Sequence, residues 1–280
     1  MEQEYLTMRF RYELTPSTVQ KLPMYIESVG HNPEQEKIRR DDGYPYYHWI
    51  HTIKGEGRIT FGGRTQELPL GTGVLLLPYI SHSYEAIQNN WSTQYLTFDG
   101  TMVQDILIML GLNQSAMYHW SSDITFHETI FRILRRVESD PDFHGLYASA
   151  DVYQFIMTLK RYGQTKNKLP LSETMLKLQP LLDWLDESYS NPEIGLVEMA
   201  HKLAITPRYM NTLFRNTFAH SPYAYLIALR IRKSKELLLK NPNSSIKLIT
   251  QEVGFRDTSH FIATFRQYVG FTPERFRELN

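Results

Sequence analysis

The chain has 280 residues, 42% of them hydrophobic and 21% charged, a composition that indicates about two globular domains and excludes wholesale disorder. It contains no cysteine, which excludes disulfides, thiolate zinc sites, cysteine nucleophiles and cysteine-held iron–sulfur clusters. The net charge is zero but uneven, because residues 201–280 carry 13 lysines and arginines against 5 acidic residues, a net charge of +8. A basic end of this kind indicates a polyanionic partner.

The sequence shows no signal for export or membrane insertion. Its N-terminus is acidic and lacks the apolar stretch of a signal peptide. The longest apolar runs, Val74–Leu77 and Ile106–Leu110, are far shorter than the roughly 20 residues that a membrane-spanning helix requires. We therefore expect a cytoplasmic protein with no membrane partner.

The first part of the chain changes from a strand pattern to a helix pattern. From about residue 36 to residue 100, short apolar runs alternate with turn signals such as Asp42-Gly43 and Gly62-Gly63, and this predicts a β-sandwich or β-barrel. From about 102 to 162, apolar residues recur at helical spacing. The predicted helices are Met102–Leu112, Thr125–Val137 and Leu146–Tyr162.

The polar segment 163–172 contains glycine and proline and is the predicted linker. It separates a predicted domain over residues 1–165, whose helical part is about 102–162, from an all-helical domain over 174–280. Proline is favoured at the first position of a helix, and a small polar residue before it caps the helix. Five such pairs predict helix starts: Asn191-Pro192, Thr206-Pro207, Ser221-Pro222, Asn241-Pro242 and Thr272-Pro273.

The helical domain contains an internal repeat. Met199–Ile205 matches Ile249–Phe255 at an offset of 50 residues, and Met210–Arg215 matches Phe261–Arg266 at an offset of 51. Each copy has the form of a helix-turn-helix, whose second helix fits the major groove of DNA. A long amphipathic helix with a basic face, starting at Ser221, joins the two copies.

Helical spacing divides the second helix of each copy into a core face and an outward face. The core face is predicted to contain Tyr209, Met210, Leu213 and Phe214 in copy one, and His260, Phe261, Thr264 and Phe265 in copy two. The outward face is predicted to contain Pro207, Arg208, Asn211, Thr212 and Arg215 in copy one, and Thr258, Ser259, Ile262, Ala263 and Arg266 in copy two. Gly254 stands where the turn needs a positive φ.

Residues 174–280 resemble the DNA-binding domain of the AraC/XylS transcription regulators. The resemblance is carried by the residues from Ile249 to Arg277, including Val253-Gly254-Phe255 and Gly270-Phe271-Thr272-Pro273, and Ala219 departs from a customary glycine. It implies base contacts by Arg208, Asn211 and Thr212 of copy one and by Ser259, Ile262 and Ala263 of copy two. It also implies that Thr258 lies at the DNA and that Arg215, Arg230, Arg232 and Arg266 contact phosphates. Because arginine and asparagine bind guanine and adenine edges, copy one is predicted to supply more of the specificity.

The segments Tyr47–Gly63 and Leu70–Tyr84 resemble a cupin barrel, as in the effector-binding half of the same family, and the match extends to Trp91 and Phe98-Asp99-Gly100. The resemblance predicts an α+β protein. Its N-terminal part is a cupin-like β-barrel with a helical hairpin, and its C-terminal part is an all-α domain of two helix-turn-helix units joined by a long helix. The apolar stripe of the helices at 102–162, together with the resemblance, implies a homodimer.

Cupin enzymes bind a metal through His-x-His on one face of a strand. Here His48 and His51 are three positions apart, which places them on opposite faces, and Glu56 and His82 do not complete a set of three or four ligands. We therefore predict no metal, no cofactor, no catalytic residue and no enzymatic activity. A cupin-type metal enzyme with an appended helical domain is the alternative hypothesis.

A small-molecule pocket in the barrel is the preferred hypothesis. Aromatic faces stack on sugar rings, and arginine and histidine bond hydroxyl groups. Together with the resemblance to the effector-binding half of the family, these residue types predict a saccharide effector, and the resemblance implies activation of sugar-utilisation genes. Strand periodicity allows only one of His48 and Trp49 to face the pocket, and Trp49 and Trp91 are alternatively core residues. A DNA-binding regulator without an effector is a further alternative. The candidate effector contacts are Arg40, Tyr47, His48, Trp49, His82, Tyr84 and Trp91.

Overall fold

A computed structural model of the chain describes residues 9–13, 21–87, 90–121, 124, 126–139, 146–165 and 169–279. The chain divides into two units, Met1–Leu171 and Ser172–Asn280. In the described part of the chain, the first unit contains the strands and three helices and the second is helical, so the predicted α+β fold class is confirmed. Among the described residues, no helix combines the length and the apolar character needed to cross a bilayer.

Two antiparallel sheets face each other in the first unit. The strands are β1 (Phe10–Glu13), β2 (Tyr25–Asn32), β3 (Ile38–Arg40), β4 (Tyr47–Lys54), β5 (Gly57–Phe61), β6 (Arg64–Leu68), β7 (Thr72–Leu76), β8 (His82–Ala86), β9 (Ser92–Asp99) and β10 (Ala116–His119). The larger sheet has the order β1-β2-β9-β4-β7-β10 and the smaller one the order β3-β8-β5-β6. The sequence pattern missed β1, β2 and β10. Strands β2 and β10 pair with β9 and β7, which are distant in sequence, and β1 pairs with β2.

Strand β4 separates the two apolar layers of this unit, because its side chains alternate between the faces of the sheet. Ile50 points between the two sheets and packs with residues of β5, β7 and β8. Trp49 points the other way, into the core beneath the helices, and its ring lies against Gly73. Trp91 lies between the sheets against Gly57 of the small-sheet strand β5, so each tryptophan occupies the space that a glycine leaves open.

The described residues of the first unit also form three helices: α1 (Val103–Leu110), α2 (Phe126–Ser139) and α3 (Leu146–Tyr162). Helices α2 and α3 pack on each other and on β2 of the larger sheet, so the predicted helical hairpin is confirmed. Phe126, Phe131 and Phe155 fill the core between these helices and the sheet. An ion pair of 2.7 Å between Arg136 and the buried Asp151 also joins the two helices.

The second unit consists of α4 (Leu171–Ser188), α5 (Leu196–Lys202), α6 (Pro207–Phe218), α7 (Pro222–Lys240), α8 (Ile246–Glu252), α9 (Thr258–Val269) and α10 (Pro273–Leu279). It has two apolar cores, one around α5 and α6 and the other around α8 and α9. Helix α7 contributes Leu226 and Leu229 to the first core, and Ile231 and Leu238 to the second. The predicted pair of helix-turn-helix units joined by a long helix is therefore confirmed.

Three of the five predicted proline starts are confirmed, since α6, α7 and α10 begin at a proline. The prediction is wrong for Asn191-Pro192 and Asn241-Pro242, where the next helices begin only at Leu196 and Ile246. At the first of these sites the Asn191 side chain accepts a hydrogen bond of 3.0 Å from the Glu193 amide and forms a turn instead.

The segment 163–172 is only partly a linker. Gln164 pairs with His119 through two backbone hydrogen bonds of 2.8 Å, and α4 already begins at Leu171. The remaining polar residues of the predicted linker, 166–168, lie outside the described part of the chain.

Candidate functional site

The second helix of the first helix-turn-helix unit, α6, has the two faces that the sequence predicts. Met210, Leu213 and Phe214 are buried, and Arg208 and Arg215 are exposed on the other side. Thr212 and Pro207 are exposed as well, and Asn211 is half-buried. The prediction is wrong for Tyr209, which is 45% exposed because the other three apolar residues already close the core.

Helix α9 repeats this arrangement in the second unit. Phe261, Thr264 and Phe265 are buried. The outward positions are half-buried at Thr258 and Ile262 and exposed at Ser259, Ala263 and Arg266. His260 is exposed, so its predicted place in the core is wrong; its ring only contacts the edge of Phe255, at a centroid distance of 5.6 Å.

Each helix-turn-helix turn contains one residue with a positive φ. It is Gly254 in the second copy, at +78°, as predicted, and Ala204 at the matching position of the first copy, at +52°. A Cβ atom at Gly254 would lie 2.5 Å from the carbonyl oxygen of Tyr189, so glycine is required there for space as well as for φ. Ala219, the departure from the family's customary glycine, also has a positive φ, +59°.

Three outward arginines of the two recognition helices are available for an anion. Within the described residues, Arg208, Arg215 and Arg266 have no acidic partner, since the ion pairs of this unit involve other cations. All three are exposed, which keeps their long side chains accessible to a phosphate.

The prediction that Arg230 of α7 contacts a DNA phosphate is wrong. Its side chain is buried, and it donates hydrogen bonds to the carbonyl oxygens of Tyr189 at 2.9 Å and Asn191 at 2.7 Å. Burial lowers the pKa of this guanidinium. Arg232 is exposed, as a phosphate contact requires, but lies 3.4 Å from the Asp186 carboxylate.

A polar cluster lies in the first unit where β3, β4 and β8 meet. It brings together four of the predicted effector contacts, Arg40, His48, His82 and Tyr84. The rings of His48, His82 and Tyr84 are nearly parallel, with centroids 6.1 to 6.4 Å apart. Arg40 lies beside them, with Nη1 3.4 Å from His82 Nε2. We call these four residues the effector cluster.

Hydrogen bonds orient the two histidines of the effector cluster. His82 Nδ1 donates to the carbonyl oxygen of Ile80 at 2.7 Å, and His48 Nδ1 is bonded to Thr97 Oγ1 at 3.0 Å. His48 Nε2 is buried and has no hydrogen-bond partner. Burial lowers the pKa of both imidazoles, and the positive charge of Arg40 lowers it further. Both rings are therefore neutral near pH 7.

Four further residues surround this cluster that the sequence pattern does not predict as effector contacts. The Tyr44 ring lies 4.2 Å below the Arg40 guanidinium, and its hydroxyl donates to Glu27 at 3.0 Å. On β9, Tyr95 contacts the His48 ring and Thr97 bonds to it. The alternation of Tyr95 and Thr97 with apolar Leu96 and Phe98 was a signal for β9, whereas nothing in the sequence placed Tyr44 or Glu27 here.

Three other predicted effector contacts are corrected by the structure. Tyr47 and Trp49 face the helices instead of the space between the sheets, and Tyr47 stacks on Phe98 at 5.6 Å. Trp91 does lie between the sheets, but its ring is fully buried and its indole N–H donates to Thr52 at 2.9 Å. In this structure these three side chains have a packing role and offer no surface to an effector.

The predicted opposition of His48 and His51 on β4 is confirmed. His51 faces the helices, where its Nδ1 accepts a hydrogen bond of 3.0 Å from Trp49. Among the described residues, no group of three or more histidines and acidic residues is placed to hold a metal ion.

Comparison with known proteins matches both parts of the chain to family models. Residues 29–156 match a model described as the AraC-like ligand binding domain, and residues 199–279 match a model described as a helix-turn-helix domain. The chain belongs to the AraC family. This AraC-family protein is a DNA-binding transcription regulator with a ligand-binding domain, and not an enzyme.

Two relatives span most of the regulator. The Msm operon regulatory protein of Streptococcus mutans is 25% identical over 233 residues, which cover 82% of this chain and 83% of the relative. The transcriptional activator RhaS of Escherichia coli is 23% identical over 259 residues, which cover 87% and 91%. Among solved structures, the C-terminal domain of the response regulator yesN from Fusobacterium nucleatum is 29% identical, covering 35% of this chain and 95% of that one, with a TM-score of 0.34.

Proposed function

We propose that this regulator acts in the cytoplasm as a saccharide-responsive activator of sugar-utilisation genes. The observation that carries the effector class is the effector cluster, which combines stacked aromatic and imidazole rings with polar atoms in an otherwise apolar interior. Such a lining suits a sugar, whose ring stacks on aromatic faces while its hydroxyl groups are hydrogen-bonded. An activating role is supported by the relative that is named a transcriptional activator.

Thermal melting of the purified protein against millimolar mono- and oligosaccharides tests the effector class. A ligand at 100 times its Kd stabilises the first unit by about 2.7 kcal/mol, a shift of several degrees. The variant His82→Asn tests the site, because it removes the ring beside Arg40 and is expected to abolish the shift in melting temperature. If no saccharide raises the melting temperature while DNA binding is intact, the saccharide hypothesis is rejected. A regulator with another effector, or with none, would then be favoured.

We further propose that α6 reads bases more strongly than α9. Arg208 and Asn211 have the side chains that bind guanine and adenine bidentately, and Thr212 completes this set, whereas the matching positions of α9 are Ser259, Ile262 and Ala263. Thr258 lies at the start of α9, and Arg215, Arg232 and Arg266 are the proposed phosphate contacts.

The proposed base contacts of α6 are tested with DNA fragments that the protein selects from a pool of random sequences. The affinity of each variant is measured for a selected fragment and for non-specific DNA. Arg208→Ala or Asn211→Ala is expected to reduce the ratio of specific to non-specific affinity by about 5- to 150-fold, the loss of one bidentate base contact. Ser259→Ala is expected to change it less. Arg275→Ala is the control, because it removes one exposed positive charge outside both helix-turn-helix units. Equal losses from Ser259→Ala and Arg208→Ala would contradict the asymmetry.

Homodimerisation is proposed through α3. Leu146, Tyr153 and Met157 share one face of this helix and are 62%, 49% and 38% exposed. The double variant Tyr153→Glu with Met157→Glu is expected to shift analytical ultracentrifugation profiles from dimer to monomer. Gln154→Glu changes the charge of an exposed neighbour on the same helix and serves as the control. An unchanged dimer in the double variant would place the interface elsewhere.

A further inference from the structure

Arg40 is an unbalanced positive charge in the effector cluster. Other arginines near it on the small sheet have carboxylate partners: Arg39 pairs with Asp41 at 2.8 Å, and Arg58 pairs with Glu85. Arg40 has no carboxylate partner among the described residues, and its contacts are the Tyr44 ring and His82 Nε2. A half-buried guanidinium in these surroundings has lost part of its hydration without gaining a counter-charge.

The groups around Arg40 do not supply that counter-charge. Glu27 is linked to the cluster through the Tyr44 hydroxyl, which donates to it at 3.0 Å, but among the described residues its carboxylate forms no ion pair with Arg40. His82 and His48 are neutral or positive and never negative. Burial also raises the pKa of the Tyr84 hydroxyl, so this group remains uncharged at neutral pH.

The cluster also contains an unfilled hydrogen-bonding position. His48 is only 3% exposed, and its buried Nε2 atom has no hydrogen-bond partner. A buried polar atom left unbonded is costly, and an ordered water or a ligand normally satisfies it when the protein does not. A ligand with both a negative charge and a hydroxyl group would serve Arg40 and His48 Nε2 together. Arg40 and Tyr44, which are half-buried, stand at the exposed side of the cluster.

We propose that the effector carries an anionic group, a carboxylate or a phosphate, which Arg40 binds next to His82. This proposal rests on the saccharide function proposed above and narrows it to an acidic sugar or a sugar phosphate. The planar guanidinium of arginine matches both groups with two parallel N–H···O bonds. A hydroxyl of the same sugar supplies the partner that His48 Nε2 lacks.

Matched neutral and acidic probes separate this proposal from the general saccharide function. Galactose is compared with galacturonate, and glucose with glucose 6-phosphate, by calorimetric titration of the full-length protein. Inorganic phosphate alone is the third probe, and the imidazole NMR signals of His48 and His82 report where each probe binds. At least one acidic probe is expected to bind about 10-fold or more tightly than its neutral counterpart and to shift both signals. The galacturonate and phosphate arms distinguish the two anionic groups.

Variants at two adjacent arginines assign the charge that binds. Arg40→Gln is expected to weaken the acidic probe about 10-fold or more, whereas Arg40→Lys, which keeps the charge but not the planar fork, loses less. Arg39→Gln is the matched control, since it removes the same charge one residue away from an exposed ion pair. It is expected to change the affinity less than about 2-fold. Circular dichroism establishes that each variant is folded.

Three outcomes overturn the proposal. Equal affinities for the neutral and acidic probes would reject the anionic group and leave the saccharide function intact. Equal affinities of Arg40→Gln and Arg39→Gln for an acidic probe would reject Arg40 as its ligand. If no acidic probe shifts either imidazole signal, the anionic group is rejected, while the neutral saccharide panel and DNA binding still test the proposed function separately.

Discussion

At the scale of single residues, burial decides the charge of the histidines in the effector cluster. His48 faces Arg40, His82, Tyr84 and Tyr95, and no acid in the described part of the chain contacts its ring. Its protonated form is therefore penalised both by lost hydration and by the nearby positive charge. The same two causes lower the pKa of His82.

The first unit is expected to lose stability as the pH falls from about 6.5 towards 5. In this window the unfolded chain binds protons on His48 and His82, and the native state, whose imidazole pKa values are lower, does not. Each buried histidine contributes up to about 1.4 kcal/mol per pH unit. Urea unfolding at several pH values checks this, and His48→Gln should flatten the dependence by one histidine's share. The same slope in variant and wild type would contradict it.

The two turn residues Ala204 and Gly254 give a second prediction at this scale. A non-glycine residue in the left-handed region costs about 1 to 2 kcal/mol, so Ala204→Gly is expected to stabilise the second unit by up to about 1 kcal/mol. Gly254→Ala is expected to destabilise it by more, because its Cβ would also meet the Tyr189 carbonyl. Thermal denaturation of both variants measures this. A lower melting temperature for Ala204→Gly would show that the turn is not strained.

At the scale of elements, α7 determines how the two recognition helices are held. Its apolar side contributes to both cores of the second unit, and its Arg230 binds the backbone between α4 and α5. That connection also contacts the turn of the second copy at Gly254. Arg230 and the Gly254 turn therefore contact the same segment, residues 189–191. We expect these shared contacts to fix the placement of α6 relative to α9.

Arg230→Met is expected to destabilise the second unit by about 3 kcal/mol, because it leaves the carbonyl groups of Tyr189 and Asn191 without their charged donor. It is also expected to weaken binding to a full DNA site more than binding to either half. Arg232→Met, on the same helix, removes only an exposed ion pair and should change stability by less than about 1 kcal/mol. Urea unfolding and DNA titration check both. Equal effects of the two variants would refute the role of Arg230.

At the scale of the whole molecule, the second unit has apolar cores of its own. Its two cores are formed within residues 172–280, and the ligand-binding features lie in the other unit. A fragment of residues 172–280 is therefore expected to fold cooperatively and to bind DNA without any response to a saccharide. Calorimetry and DNA titration of the fragment test this, with the full chain as control. A fragment that is unfolded on its own would contradict the independence of the unit.

The features that depend on local spacing could be predicted from the order of the amino acids. The repeat placed both recognition helices, and helical periodicity assigned Met210, Leu213 and Phe214 to the core and Arg208 to the outside. Strand periodicity separated His48 from Trp49 and from His51. These predictions hold because side-chain direction follows from the geometry of one helix or one strand.

Which surface each face meets depends on contacts between residues that are far apart in the chain. Helical spacing cannot show that Arg230 is buried, because its partners are carbonyl groups 39 and 41 residues earlier in the chain. Strand spacing likewise cannot show whether His48 or Trp49 faces the interior between the sheets, since that depends on where α2 and α3 pack. The association of Arg40 with Tyr44 and His82 also requires strands distant in sequence to pair. Burial and charge balance are properties of such non-local contacts, and a linear pattern does not contain them.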